Sequence, residues 1–213
     1  MDRATLSQRI ESILNEITRL SNTLYAMDNT NIQRHSDNYE MLSTEAALRG
    51  EVIACRLRHL IYETTTIRKA EYLTSAGVMQ GISVIEKDGI LEITLPCLLP
   101  KKSKKHSCEY LTDPIYYTLS KYAQTHTLPK FRHCVVCFSH IYSRELSPNR
   151  VRDYDNLELK QLLDVIVTFV MEDDTGLLCD AYNTTEIGDS DCTRVSVMDK
   201  ERFCLLYTSD AAD

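Results

Sequence analysis

The stretch that decides the fold covers residues 152–174 and reads RDYDNLELKQLLDVIVTFVMEDD. Apolar residues in its middle recur at helical spacing, which predicts a helix over 156–171. Five acidic residues flank that helix, two before it and three after it: Asp153, Asp155, Glu172, Asp173 and Asp174. Of all parts of the chain, these carboxylates on both sides of one helix most strongly indicate a metal-binding or catalytic site.

Two interpretations of the flanking acids remain open at this point. If the segment before the helix is extended, Asp153 and Asp155 point to the same side, because side chains alternate along a strand. They could then share a cation with Asp174, provided that the chain returns along the helix, which is about 24 Å long. Alternatively, Asp153 or Asp155 caps the helix N-terminus, and the later acids form a solvated turn.

The surrounding pattern predicts a small α+β domain over 82–203. Apolar runs and turn residues predict the following elements: strands at 82–85 and 90–95 joined at Asp88-Gly89, a helix over 112–124, and strands at 131–142, 176–182 and 193–198. Pro114 is expected in the first turn of the helix over 112–124. The order β-β-α-β-α-β-β is typical of a mixed sheet with packed helices.

A helical region is expected before this domain, over 1–76. Its first helix has an apolar seam with the 4-3 spacing of a coiled coil, formed by Leu6, Ile10, Ile13, Ile17, Leu20 and Leu24. A second helix is predicted from about Ser36 to Ser75. The two helices are expected to form either an antiparallel hairpin or a dimerising coiled coil.

The composition is that of an ordinary globular protein, with 43% hydrophobic and 26% charged residues in 213. No apolar run approaches the length of a membrane-spanning helix, and the first residues lack the pattern of a signal peptide. We therefore expect a protein that is not exported but cytoplasmic. Its eight cysteines are expected to be free thiols rather than a disulfide framework.

Charge is distributed unevenly along the chain. The total is −7, which argues against a general nucleic-acid coat protein, yet residues 86–150 carry +4 and residues 151–203 carry −8. Four lysines form the most basic run: Lys101, Lys102, Lys104 and Lys105. This run is either part of a solvated surface of mixed charge or a phosphate-contacting loop beside acids that hold a divalent cation.

The acid-flanked helix in this setting resembles the RusA family of Holliday-junction resolvases over about residues 82–203. The likeness rests on Asp153-x-Asp155-Asn156, the amphipathic helix, the pair Asp173-Asp174 and an upstream strand ending in Leu95-Pro96. It implies a homodimeric, Mg²⁺-dependent endonuclease that cuts four-way DNA junctions in recombination and repair, in a prokaryote or phage.

The resemblance also implies roles for individual residues. Asp153, Asp155 and Asp174 match the family's metal-binding aspartates, and Asp173 is the adjacent acid. The lysine run would contact backbone phosphates without reading sequence. The family's helical lysine falls on Leu159 here, and Lys160 follows it, so that Lys160 takes the catalytic role only if the first helical turn brings it to the site.

An alternative from a different class stays open. The displaced lysine and the acidic charge favour a RusA-like domain that has lost catalysis and serves a mobile element as a DNA- or protein-binding module. The last ten residues, 204–213, resemble a translated sequencing-library adapter, so we expect a non-native tail there and leave it out of the fold prediction.

Overall fold

The computed structural model describes residues 2–102, 109–146 and 148–210. These divide into two compact units, Met1–Lys69 and Ala70–Asp213. The first unit is helical and the second is a mixed α+β domain, and each is described by itself. Within these residues, no helix has both the length and the apolarity that a membrane crossing requires.

The first unit is an antiparallel pair of long helices, α1 at Arg3–Asp28 and α2 at Ser36–Thr64. Arg9 pairs with Glu63 near one end, and Arg49 meets Glu16 at 3.0 Å further along. Few side chains are buried between the helices: Ile13, Thr23 and Ala46. The hairpin therefore leaves much of its apolar surface exposed.

The second helix is shorter than the sequence predicts. It ends at Thr64 instead of Ser75, and a separate helix, α3, follows at Lys69–Gln80. At the break, the hydroxyls of Thr64 and Thr65 donate to the carbonyls of Leu60 and Ile61, and Thr65 adopts an extended backbone. Consecutive β-branched residues with hydroxyls weaken a helix, which explains the interruption.

The second unit is built on a five-stranded sheet. Its strands are β1 at Ser83–Lys87, β2 at Ile90–Leu95, β3 at Cys134–Ser143, β4 at Cys179–Gly188 and β5 at Cys192–Asp199. They lie in the order β1-β2-β5-β3-β4, and β3 and β4 are parallel while all other pairs are antiparallel. The predicted α+β class and element order are confirmed.

The hairpin between β1 and β2 has the predicted turn. Asp88 and Gly89 both have positive φ angles, 53° and 76°. Two such residues match the twist of adjoining strands, and the pair Asp-Gly adopts them at low cost. The local sequence is therefore sufficient to place this hairpin in register.

Helices α4 at Glu109–Thr125 and α5 at Lys160–Val170 contribute to the same core as the sheet. The core joins residues of both helices to strands β2, β3 and β5, among them Leu91, Ile93, Ile115, Leu119, Phe138, Leu162, Ile166 and Val195. A last helix, α6, spans Lys200–Asp210. The apolar residues that recur along α5 thus lie on one face of the helix, and this face is buried as expected.

Two helix boundaries differ from the prediction. Pro114 lies inside α4 and not in its first turn, because the helix already begins at Glu109 and buries Leu111 against the core. Helix α5 begins at Lys160 and not at Asn156, because residues 154–156 form a separate 3₁₀ turn. That turn changes the geometry of the acidic segment.

We expect Gly77→Ala to destabilise the second unit by about 1–3 kcal/mol. A Cβ at Gly77 of α3 would lie 2.4 Å from Thr118 Oγ1 and 3.3 Å from the carbonyl oxygen of Pro114, both in α4. Urea denaturation measures the change. Gly176→Ala, where a Cβ meets nothing within 4 Å, is the matched control, and equal effects of the two substitutions would contradict close packing at Gly77.

Candidate functional site

The acidic segment before α5 is a turn and not a strand. Asp153 has an extended backbone, and residues 154–156 then form one 3₁₀ turn. Side-chain alternation therefore does not apply, and the expectation that extended backbone sets Asp153 and Asp155 on one side is wrong. Both carboxylates are exposed.

Tyr154, between the two acids, attaches the segment to the sheet. Its ring stacks on His140 with 5.5 Å between centroids, and its hydroxyl lies 2.9 Å from Thr185 Oγ1. His140 and Thr185 are direct register partners on β3 and β4. One tyrosine thus bridges two strands and sets the position of Asp153 and Asp155.

His140, on which the Tyr154 ring stacks, is buried in the sheet and was not among the expected site residues. It is 1% exposed, its Nε2 lies 3.2 Å from Asn183 Oδ1, and its Nδ1 has no partner in the described part of the chain. Burial lowers the pKa of His140, and the hydrogen bond with Asn183 opposes that shift. The available signal was a histidine within an apolar strand, which does not reveal what packs on it.

The start of the basic run lies beside the acidic segment. Lys101 and Leu157 form an antiparallel bridge, the Lys102 amide donates to the Asn156 carbonyl at 2.8 Å, and the Glu158 amide donates to the Pro100 carbonyl at 2.9 Å. Lys101 and Lys102 are exposed. Lys104 and Lys105, the other two expected phosphate contacts, lie outside the described residues.

Neither aspartate caps α5, so the capping alternative for Asp153 and Asp155 is wrong. The residue at the cap position is Leu159, which offers no side-chain hydrogen bond, and Asp153 makes none at the preceding turn. Glu158 takes this role instead: it is 6% exposed and its Oε1 accepts from the Gln161 amide at 3.3 Å. The two aspartates therefore have no helix-capping function.

The first turn of α5 brings Lys160 to two acids, Asp164 within the helix and Asp174 after it. Lys160 Nζ lies 2.6 Å from Asp164 Oδ1 and also contacts Asp174 Oδ2. The chain therefore returns along α5 after the helix ends at Val170, because Asp174 follows the helix and yet contacts Lys160 at its start. Asp173 orders the return by accepting the Asp174 amide at 2.7 Å.

Electrostatics in this cluster follow from the ion pairs. Hydrogen bonds to Asp164 and then to Asp174 raise the pKa of Lys160. The Lys160 ammonium lowers the pKa of Asp174. Lys160 is thus a fixed cation between two carboxylates, one of which, Asp174, is an expected site residue.

The structure does not group the candidate acids into a metal centre. Across residues 2–102, 109–146 and 148–210, no set of three or more His, Cys, Asp or Glu side chains is arranged to hold a metal ion. What it brings together is Lys160 with Asp164 and Asp174, and the backbone of Lys101 and Lys102 with the segment that carries Asp155.

An ion pair also fixes the loop that leads to the acidic segment. Both terminal nitrogens of Arg150 lie 2.5 Å from the Asp191 carboxylate, which also accepts from the Ser143 amide at 2.7 Å. The Arg150 guanidinium lowers the pKa of Asp191 below its usual value. The end of β3 and the start of the loop are thereby tied to the β4–β5 turn.

We expect Asp191→Asn to lower the free energy of unfolding at pH 7 by roughly 1 kcal/mol, because a charge-assisted pair is lost. A carboxyl with a depressed pKa stabilises the fold above its unfolded-state pKa, and this contribution disappears as the pH falls through the folded-state pKa. The difference between wild type and variant should therefore shrink below about pH 4. Thermal denaturation at pH 7 and pH 3 measures it.

Asp189→Asn is the matched control for this pH effect. Asp189 lies in the same turn, but its side chain is 92% exposed and pairs with Arg144 on the surface. We expect a change within about 0.5 kcal/mol at both pH values. A variant–wild-type difference for Asp191→Asn that stays constant with pH would contradict the assignment.

Comparison with known proteins assigns the chain to a family but identifies no activity for it. No curated protein matches the chain. A family of unknown function, DUF6100, matches residues 2–210, a range that covers both structural units and most of the segment 204–213. The chain therefore belongs to the DUF6100 family.

Proposed function

We propose that the α+β domain over about residues 82–203, within the unit Ala70–Asp213, is a RusA-type endonuclease domain that resolves four-way DNA junctions by phosphodiester hydrolysis. The observation that carries the proposal is the bridge between Lys101 and Leu157, which sets exposed lysines beside the acidic turn. Phosphodiester cleavage needs cations for the polyanion and carboxylates at the reacting phosphate, and this contact brings the two together. The proposed enzyme is a homodimer in the cytoplasm of a prokaryote or phage.

The chain's own residues have distinct tasks in this proposal. Lys101 and Lys102 hold backbone phosphates and orient the strand without reading its sequence. Tyr154 holds the acidic turn at a fixed height above β3 and β4. Lys160 supplies positive charge at the first turn of α5, where it can neutralise charge that develops on the phosphate or the leaving oxygen.

Mg²⁺ is the metal that the resemblance implies, and the donor chemistry of this region suits it. Hard divalent cations bind carboxylate oxygens, and the acids that flank α5 offer this donor type. Asp153, Asp155 and Asp174, with Asp173 beside them, are the ligands that the resemblance implies, although the residues that the structure describes form no group of three such ligands. When bound, Mg²⁺ would lower the pKa of a water and offset charge on the phosphate.

A second function is favoured by one specific observation. The Lys160 ammonium occupies Asp174, and the described acids form no three-membered group that could bind a metal. These facts suit a domain of the same fold that binds branched DNA, or another protein, without cutting it. The exposed Lys101 and Lys102 serve such a binding role equally well.

Incubation of the full chain with a labelled synthetic four-way junction and Mg²⁺ separates the two functions. The nuclease proposal predicts paired cuts near the branch point, and no cutting of a linear duplex with the same arms or with EDTA in place of Mg²⁺. A gel shift with the same junction measures binding. Binding without cutting would overturn the nuclease in favour of the binding module.

A further inference from the structure

The outer face of α1 carries an apolar stripe that α2 does not cover. Ile10, Leu14, Ile17 and Leu24 are between 41% and 56% exposed. At 100° per residue they fall within an arc of about 80° on the helix. The partner helix instead contacts the neighbouring face, where Ile13 and Thr23 are buried and where Glu16 pairs with Arg49.

One charged residue lies at each end of this stripe, and the two have opposite signs. Arg3 and Asp28 lie in nearly the same arc as Ile10, at about 20° and 0° from it by helical geometry. Both are exposed, and neither takes part in an ion pair among the residues that the structure describes. No other charged residue of α1 lies within this arc. Ser21, at about 20° from Ile10, is a polar residue inside the arc. The stripe is therefore mainly apolar in its middle, positive at its start and negative at its end.

Such a pattern is complementary to itself in one orientation. In an antiparallel pair of α1 helices with Arg3 opposite Asp28, both ends match at once, and Leu14 of each copy meets Ile17 of the other. A parallel pair would instead place Arg3 against Arg3 and Asp28 against Asp28, which is repulsive. A two-fold axis makes the same patch serve both copies.

We propose that α1 is a docking surface for a second copy of this chain, packed antiparallel across the stripe from Arg3 to Asp28. The stripe is about 39 Å long and one helix width, about 10 Å, across. The area of the stripe, about 390 Å², is about half of the ~800 Å² that each partner buries in a standard interface. We therefore expect a reversible, concentration-dependent dimer. The inference concerns the first unit and does not depend on the nuclease proposal.

Sedimentation velocity of the full chain from about 1 to 100 μM tests the surface, over the range in which a weak interface associates. Wild type should pass from monomer to dimer in this range. Leu14→Glu places a charge at the centre and should weaken association at least ~30-fold. Leu48→Glu is the matched control, because Leu48 is 62% exposed on α2 and lies outside the stripe.

A charge swap tests the orientation. Arg3→Asp and Asp28→Arg should each weaken the dimer about 10-fold at low salt, and the double variant should restore it. Both changes favour the helix dipole, so loss of helix would not explain a weakened dimer. At 1 M salt the single variants should approach wild type, since the Debye length is then about 3 Å.

Several results would overturn the inference. Wild type that stays monomeric at every concentration would show that no second copy binds there. A dimer that Leu14→Glu leaves intact, or that Leu48→Glu disrupts equally, would place the interface elsewhere. Single swaps that weaken the dimer with no recovery in the double variant would exclude the antiparallel pairing.

Discussion

Replacing Asp174 with Asn is expected to lower the rate of junction cleavage by at least about 100-fold, with binding of the junction retained. Asp174 is the acid that the returning chain brings to Lys160, and the proposal makes it a metal ligand. An amide oxygen carries no charge and is a much weaker ligand for Mg²⁺ than a carboxylate. Single-turnover cleavage of a labelled four-way junction measures the effect.

Asp164→Asn is the matched control, because Asp164 also pairs with Lys160 but lies outside the proposed ligand set. We expect it to retain most of the activity, whereas Asp155→Asn should be as damaging as Asp174→Asn. Activity that survives both Asp155→Asn and Asp174→Asn would remove the site assignment. Equal losses in Asp164→Asn and Asp174→Asn would show that the acids act by positioning Lys160.

The largest expected loss of stability is that of Leu162→Ala, at about 2–5 kcal/mol. Leu162 is 1% exposed on α5 and belongs to the core between that helix and the sheet. Truncation removes buried apolar surface and leaves a cavity that the surrounding side chains fill only in part. The midpoint of urea denaturation measures the change, followed through tyrosine fluorescence, to which the second unit contributes nine of the twelve tyrosines.

Leu177→Ala makes the same truncation in the same unit at a side chain that is 88% exposed. We expect a change within about 0.5 kcal/mol. Similar losses for Leu162→Ala and Leu177→Ala would mean that α5 is not packed on the sheet as described. Because α5 carries Lys160, the result also bears on how firmly the proposed site is held.

The parts of the fold that could be predicted are those with a local cause. Asp88-Gly89 adopts the positive φ angles of a hairpin turn at low cost, so the first hairpin follows from two residues and their apolar neighbours. The spacing of Leu162, Ile166 and Val170 identifies α5 because one helical face must be buried. The order and type of the elements from β1 to β5 were therefore correct, whereas helices α3 and α6 of the same unit were not predicted as separate elements.

Boundaries and attachments were not predictable in the same way. Nothing local indicates that residues 154–156 turn before α5 begins, because this turn is held by Tyr154 on His140 and Thr185, 14 and 31 residues away. Similarly, Glu158 displaces the aspartates as cap because it is buried beside Pro100. Contacts between distant residues decided both features.

By itself, the sequence determined which charged residues are candidates for a catalytic or binding site. They are the acids on both sides of one helix, a lysine at its first turn and a lysine run upstream. The tertiary structure alone decided which of them meet: Lys160 contacts Asp174, and Lys101 bridges to Leu157, directly after the turn that contains Asp155. The reason is physical. Side-chain type and helical spacing are local properties, whereas proximity depends on how a loop returns along a helix and on which strands pair, and both follow from burial of the whole core.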